Sequence, residues 1–561
     1  MADRLDLVFL WHMHQPDYRT GPERTFALPW TLLHALKDYT DMAGHFERHP
    51  QIRSVINFVP TLLEQIEDYR QQLAGGSIRD PLLAALAATD EALADPGRRR
   101  FLLETCFLGN HERLVEPYPH YRRLHQLYLA AAGEPDAVAH YFATPYFADL
   151  VTWYFLVWFG ETERRRSPLL ARLFAQGTHF CEADRWALLA LVKDVLDGLL
   201  PRYRRLAEAG QIELSTTPYA HPLAPLLTDL GSAREALPAC PLPQSPRYPG
   251  GRERVSRHLA LAKMVAAKHW GHSASGIWPA EGALSDAALA LIDQAGATWT
   301  ASSESVLAQS LRANGGDYQR ARDLYRPWRV AGAGAARIYF RDERLSDLIG
   351  FEYARWHGRD AAAHLLNELE SIRRAAPDGE TPIVSIILDG ENAWEYYPYN
   401  GYYFFNDLFE GLADHPHLRT TTYAVLSAED REAADLPHLV AGSWVHGNLS
   451  TWIGDVSKNR AWDLLCMAKQ SYDQMLSSGR LSPEQADIAE KKLLGCESSD
   501  WFWWFGDYNP ARSVASFDAL FRENLRDLYE SLGLPAPASL DQAIAHGAGH
   551  PEAGGAMRRA K

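Results

Sequence analysis

Seven apolar runs, at 5–11, 52–59, 211–215, 275–278, 297–300, 336–340 and 383–388, each end in polar or turn residues, and most lead into sequence with helical periodicity. Runs of strand length alternating with helices predict parallel strands joined by helical crossovers. About seven such strands nearly close a barrel. The pattern therefore predicts an α/β fold of barrel type.

Two departures from the alternation add helical regions. Periodic stretches at 82–93, 121–132, 145–160 and 183–209 predict a large helical insertion over about 61–209, between the second and third strands. A barrel tolerates such insertions because they leave from βα loops, where they wall a cleft. After a barrel unit spanning 1–440, stretches at 459–475, 482–494 and 511–532 predict a helical C-terminal region over 441–534. Ser482 is the expected N-cap there, with Pro483 in the first turn. Beyond 534 the hydrophobic period fades while Ala, Gly, Pro and His increase, so 535–561 is expected to be a mobile tail.

Composition narrows the partners. Of 561 residues 47% are hydrophobic and 23% charged, as in ordinary globular proteins, and the formal net charge of -15 offers no broad basic surface, so nucleic acid is not expected. The most apolar segment, 145–160, carries Asp149 and Thr152 and is too short for a bilayer, so no membrane span is expected. The N-terminus lacks a basic stretch leading into a signal-type core. Five scattered cysteines without CxxC spacing suit a reducing compartment. A cytoplasmic location is the expectation.

Two of the apolar runs end in acids: Glu281 follows Gly276-Ile-Trp-Pro-Ala, and Asp389 follows 383–388. Carboxylates at the carboxyl ends of barrel strands stand where such folds do chemistry, and a carboxylate pair is what cleavage of a glycosidic bond requires. Trp278, three residues before Glu281, would offer an apolar face to a sugar ring. Asp389 and Glu391, in Asp389-Gly390-Glu391-Asn392-Ala393-Trp394, are both candidate proton donors, and closeness to a buried strand, hence desolvation, favours Asp389.

His12 and His14 alternate to one side beyond the first run, equipped to bind a polar substrate, to ligate a metal or to serve structurally. Zinc would require a third ligand that no local motif supplies. Glu213 reads either as a group that binds sugar hydroxyls or orients a histidine, or as a barrel-interior ion pair, and His221 lies in the loop that follows. Among the aromatic-rich segments around 395–405, 444–455 and 500–506, Trp452 and Trp501 are the preferred cleft candidates because acids, Asp455 and Asp500, stand close by.

Taken in order, His12-Met13-His14-Gln15-Pro16, Gly210-Gln211-Ile212-Glu213, Trp278-Pro279-Ala280-Glu281, Asp389 to Trp394, and the segment from Trp444 through Asn448, Trp452 and Asp455 to Trp462 resemble glycoside hydrolase family 57. That resemblance implies an incomplete (β/α)7 barrel followed by a helical region, with Glu281 as nucleophile and Asp389 as general acid/base. His12, His14, Glu213, Trp278 and Trp394 fall at active-site positions. The fifth segment looks more like α-amylase and amylopullulanase-type members than branching enzymes. The implied activity is a retaining, metal-free and cofactor-free α-glycoside hydrolase on α-1,4-glucans, with α-1,6 bonds as a further substrate. The alternatives are a 4-α-glucanotransferase using the same pair, or a carbohydrate-binding protein without turnover. A metal-dependent deacetylase or mannosidase on a related barrel would instead place zinc on the histidines.

Overall fold

The computed structural model describes residues 2–131 and 135–549. Seven strands, β1 (Leu5–Met13), β2 (Ser54–Phe58), β3 (Ile212–Thr216), β4 (Gly276–Ile277), β5 (Trp299–Ser303), β6 (Arg337–Arg341) and β7 (Ile383–Asp389), pair in parallel. Their order is β7-β1-β2-β3-β4-β5-β6, and a single pairing of Ser385 with Arg341 joins β7 to β6. The result is a (β/α)7 barrel, as the alternation of apolar runs and helices predicts, and β3 and β4 are likewise joined by a single pairing, of Thr216 with Ile277.

The period of two along β1 explains where side chains go. Leu5, Leu7, Phe9, Trp11 and Met13 face the surrounding helices and join the main core, while Val8 and Leu10 face inward with Val55, Trp278, Trp299, Tyr339 and Ile387. Covered on both faces, β1 is apolar at nearly every position, as a central parallel strand must be. His12 has the parity of Val8 and Leu10, and Asp389 that of Ile387, and the two stand opposite each other in the β1–β7 register. Both are thus delivered to the barrel interior at the carboxyl ends of their strands.

Helices fill the region between β2 and β3, from Pro60–Gly75 to the 27-residue Glu182–Glu208. Val456–Ser477, Pro483–Cys496, Asp500–Trp504 and Ala511–Ser531 follow the barrel, and Ser482 caps the second of them in a capping box. No described helix is long and apolar enough to cross a membrane. The stretch expected to be mobile after 534 is instead packed as far as 549. Leu540 and Ala545 are buried, and the Ile544 N–H donates to Asp518 at 2.7 Å. Residues 550–561 lie outside the described residues.

Candidate active site

A cavity of about 780 Å³ opens at the carboxyl ends of the strands, and His12, His14, His221, Glu281, Asp389, Glu391, Trp444 and Asp500 are on its wall. Glu281 sits in a tight turn just after β4 with φ 60, ψ 20, a left-handed backbone that non-glycine residues rarely adopt. His221, with φ 59, shares that rarity. The turn is pinned by the Trp444 N–H, which donates to the Glu281 carbonyl at 2.9 Å. The side chain is equally fixed: Trp444 Nε1 donates to Oε2 at 2.9 Å and Ser499 Oγ to Oε1 at 3.2 Å. Burial, then the charges of Asp500 and Asp389, push the Glu281 carboxyl up to about 8 against these two donors. Two residues far apart in sequence, Glu281 and Asp389, thus sense each other across one cavity.

Asp389 ends β7, and Gly390 follows because nothing larger fits. A Cβ there would lie 2.0 Å from Met13 Sδ, while the Gly390 N–H donates to the His12 carbonyl at 2.7 Å. Trp394 supports this turn from behind, donating from Nε1 to the Gly390 carbonyl at 3.0 Å. The desolvation argument that favoured Asp389 over Glu391 does not hold. Asp389 is half-buried, whereas Glu391 is 2% exposed. Glu391 Oε1 accepts from the His14 N–H, Gln15 Nε2 and Tyr39 OH at 3.0–3.1 Å. Burial and Asp389 raise the Glu391 carboxyl well above its ordinary range. The strand-proximal acid is the more open one, and Glu391 is covered by His14, Gln15 and Tyr39.

The histidines form one group. His12 Nδ1 pairs with Asn57 Oδ1 at 2.7 Å, and its Nε2 meets His221 Nε2 at 3.1 Å. His14 Nε2 pairs with both oxygens of Asp500, at 2.9 and 3.0 Å, and His221 Nδ1 with Ser499 Oγ at 2.8 Å. Burial, with His14 as the next cause, takes His12 down to about 3 and His221 well below the usual histidine range. One ring nitrogen from each lies within 4.8 Å of the others, so His221 supplies the third imidazole that local sequence did not reveal. Yet the His14 and His221 rings stack at 3.9 Å and 18°. Stacked rings set their in-plane lone pairs side by side, whereas tetrahedral zinc needs them to converge. The arrangement suits hydrogen bonding to a polar ligand better than metal.

The remaining expected residues lie off the cavity wall. Glu213 sits near the start of β3, at the opposite end of the barrel, accepting from Trp299 Nε1 at 2.7 Å and the Ala424 N–H at 2.8 Å. It is a hydrogen-bonded plug away from the cavity and makes no ion pair among the described residues. Trp278 is fully buried, edge-on to Trp444 with ring centroids 5.3 Å apart. Trp452 is buried, and its carbonyl accepts from Trp462 Nε1. Asp455 caps the Val456–Ser477 helix, accepting from the Ser457 N–H at 2.8 Å. Trp501 is buried and donates to the Gly495 carbonyl.

The residues that sequence reasoning passed over are Asp500, Trp503 and Trp504, all on the cavity wall. On the Asp500–Trp504 helix these three share one face, at i, i+3 and i+4, while Trp501 and Phe502 turn to the core. Helical spacing was the available signal, and adjacency in sequence to an acid was the wrong one.

The sequence profile of glycosyl hydrolase family 57 matches residues 8–433. Among solved structures, a branching enzyme from Thermococcus kodakaraensis is similar with a TM-score of 0.58 at 15% identity, over 94% of this chain and 90% of that one. An α-amylase from Thermotoga maritima is similar at 0.56 and 14%, over 94% and 93%. A 4-α-glucanotransferase from Thermococcus litoralis is similar at 0.51 and 14%, over 94% of this chain and 60% of that one. At such identities the likeness shows the fold alone. No curated protein sequence matches. The profile spans most of the chain and both carboxylate turns, and the chain belongs to glycosyl hydrolase family 57.

Proposed function

We propose that this protein is a retaining α-glycosidase acting on α-1,4-linked glucans, with Glu281 as nucleophile and Asp389 as general acid/base. The supporting observation is that these two acids, from the ends of β4 and β7, line one cavity and are electrostatically coupled. In the productive state the pair holds one proton, on Asp389. Glu281 attacks the anomeric carbon while Asp389 protonates the departing oxygen, and Asp389 then takes a proton from water as it opens the glycosyl-enzyme. The two inversions keep the α configuration.

The donors Trp444 and Ser499 favour the ionised form of Glu281 against its buried surroundings. His12, His14 and His221 are suited to the hydroxyls of the sugar being cleaved, and Asp500 holds His14 in place. Trp503 and Trp504 supply apolar faces on the cavity wall. Trp278, Trp394 and Trp501 contribute by supporting these residues from behind.

The test is incubation with maltooligosaccharides, amylose and pullulan, followed by product analysis. Shorter sugars alone mark hydrolysis. Products longer than the substrate would assign a 4-α-glucanotransferase with the same pair, and pullulan cleavage would add α-1,6 bonds. Binding without any turnover would contradict the catalytic reading.

A further inference from the structure

A histidine–carboxylate pair on the cavity wall takes no part in the proposed catalysis. Trp30 and His34 are one helical turn apart on Trp30–His34, and both line the cavity that holds Glu281 and Asp389. The helix then widens into a π-helical turn, Ala35–Tyr39, a distortion frequent at functional sites. That turn carries Asp38, which is 1% exposed and meets His34 Nδ1 through Oδ2 at 2.6 Å. Lys37 Nζ donates to the other oxygen of Asp38 at 2.8 Å and to Asn400 Oδ1 at 2.6 Å.

Asn400 is held in turn. Its backbone is left-handed, and its Nδ2 donates to Asp41 at 2.9 Å. Burial works against the charge of Asp38, but Lys37 and His34 outweigh it and keep the carboxyl below its usual range. An ionised Asp38 can only accept, so the hydrogen sits on Nδ1 of His34. Nε2 makes no hydrogen bond within the described residues and belongs to a side chain that keeps 6% of its surface on the cavity side. A buried ion pair and a strained turn thus hold one imidazole still without using its outer nitrogen.

We propose that Trp30 and His34 form a glucosyl-binding subsite on the wall built by the helical insertion, with Asp38 and Lys37 as positioning residues. The His34 imidazole centroid lies 6.3 Å from the Trp30 ring. A pyranose laid on the indole face would bring a hydroxyl to Nε2, the pairing of apolar face and fixed polar group that sugar sites use. A hydroxyl both donates and accepts, so it is bound whether Nε2 is bare or protonated. This is a specificity role, because the subsite is filled only by substrates long enough to reach past the cleaved bond. The inference rests on the α-glucan reading of the cavity.

The test is kcat/KM over a series of maltooligosaccharides of increasing length for the wild-type enzyme, His34→Ala and His34→Gln, with melting temperatures to confirm folding. His34→Ala should lose about three- to tenfold in kcat/KM, the worth of one hydrogen bond, on long substrates only. The loss should appear mainly in KM, and His34→Gln, which restores a polar group, should recover part of it. Asp38→Asn should fall between the two. An unchanged length profile in His34→Ala, or an equal loss of kcat on every substrate, would overturn the subsite while leaving the α-glucan reading intact. A wild-type enzyme that neither binds nor cleaves any member of the series would overturn both.

Discussion

The most informative single substitution is Trp444→Phe. It keeps an aromatic ring beside Trp278 but removes the Nε1–H that donates to Glu281 Oε2 at 2.9 Å. A hydrogen bond to a charged acceptor is worth about 1.5–3 kcal/mol and one to a neutral acceptor about 0.5–1.5 kcal/mol. The difference, roughly 1–1.5 kcal/mol, is the part that favours ionised over neutral Glu281, and it corresponds to about one pH unit. Glu281 is already pushed up to about 8. Removing the donor raises it further, so the acid limb of kcat/KM should move to higher pH by about one unit, and activity near neutrality should fall about tenfold. The assay is the full pH dependence of kcat/KM on one maltooligosaccharide. A limb that stays in place while activity falls by the same factor at every pH would mean that Trp444 only packs against the sugar, and a shift to lower pH would refute the electrostatic reasoning outright.

Two tryptophans, one preferred from sequence and one on the cavity wall, should separate experimentally. Trp452→Ala empties a buried site and should cost about 3–5 kcal/mol of stability in denaturant melts, with normal activity per folded molecule. Trp503→Ala, on the cavity wall, should instead raise KM with a smaller change in stability. Glu497 anchors the segment that carries Ser499 and Asp500, accepting from Arg254 and His258 at 2.7–2.8 Å and from Tyr248 at 2.6 Å. Burial would raise its carboxyl, but Arg254 and His258 hold it down to about 2. Its contribution is therefore complete above the ordinary glutamate range and is lost as pH falls from there toward about 2. Glu497→Gln should cost about 3–5 kcal/mol at neutral pH by leaving buried Arg254 with only its longer, 3.6 Å pairing to Glu490, and should flatten the acid loss of stability; an unchanged acid profile would contradict the assignment. Metal analysis should find no stoichiometric zinc and activity that survives chelation, whereas one zinc per chain with chelator-sensitive activity would return His12, His14 and His221 to metal duty.

What was legible in the sequence followed the physics that acts locally. Parallel strands covered on both faces must be apolar along their length, so β1 and β7 were visible, and acids closing such runs stood out as Glu281 and Asp389. Period two placed His12 on the inner face. What was not legible depends on elements distant in the chain. His221 joins His12 only through the β3 loop, and Asp500 reaches His14 from beyond the barrel. Glu213 was misplaced because a strand residue near the amino end faces the barrel floor, whatever its chemistry. Asp455 reads as a helix cap once the helix after it is recognised, and 500, 503 and 504 read as one face once 500–504 is taken as helical.

The central claim is that Glu281 attacks the sugar while Asp389 moves the proton. It is tested most directly by trapping the intermediate with a slow-turnover fluorinated α-glucosyl fluoride and locating the label by peptide mass spectrometry. One glycosyl group on Glu281, accumulating faster than Asp389→Ala can release it, is the predicted result. A label on Glu391 or Asp500, or no label together with products of inverted anomeric configuration, would contradict the account.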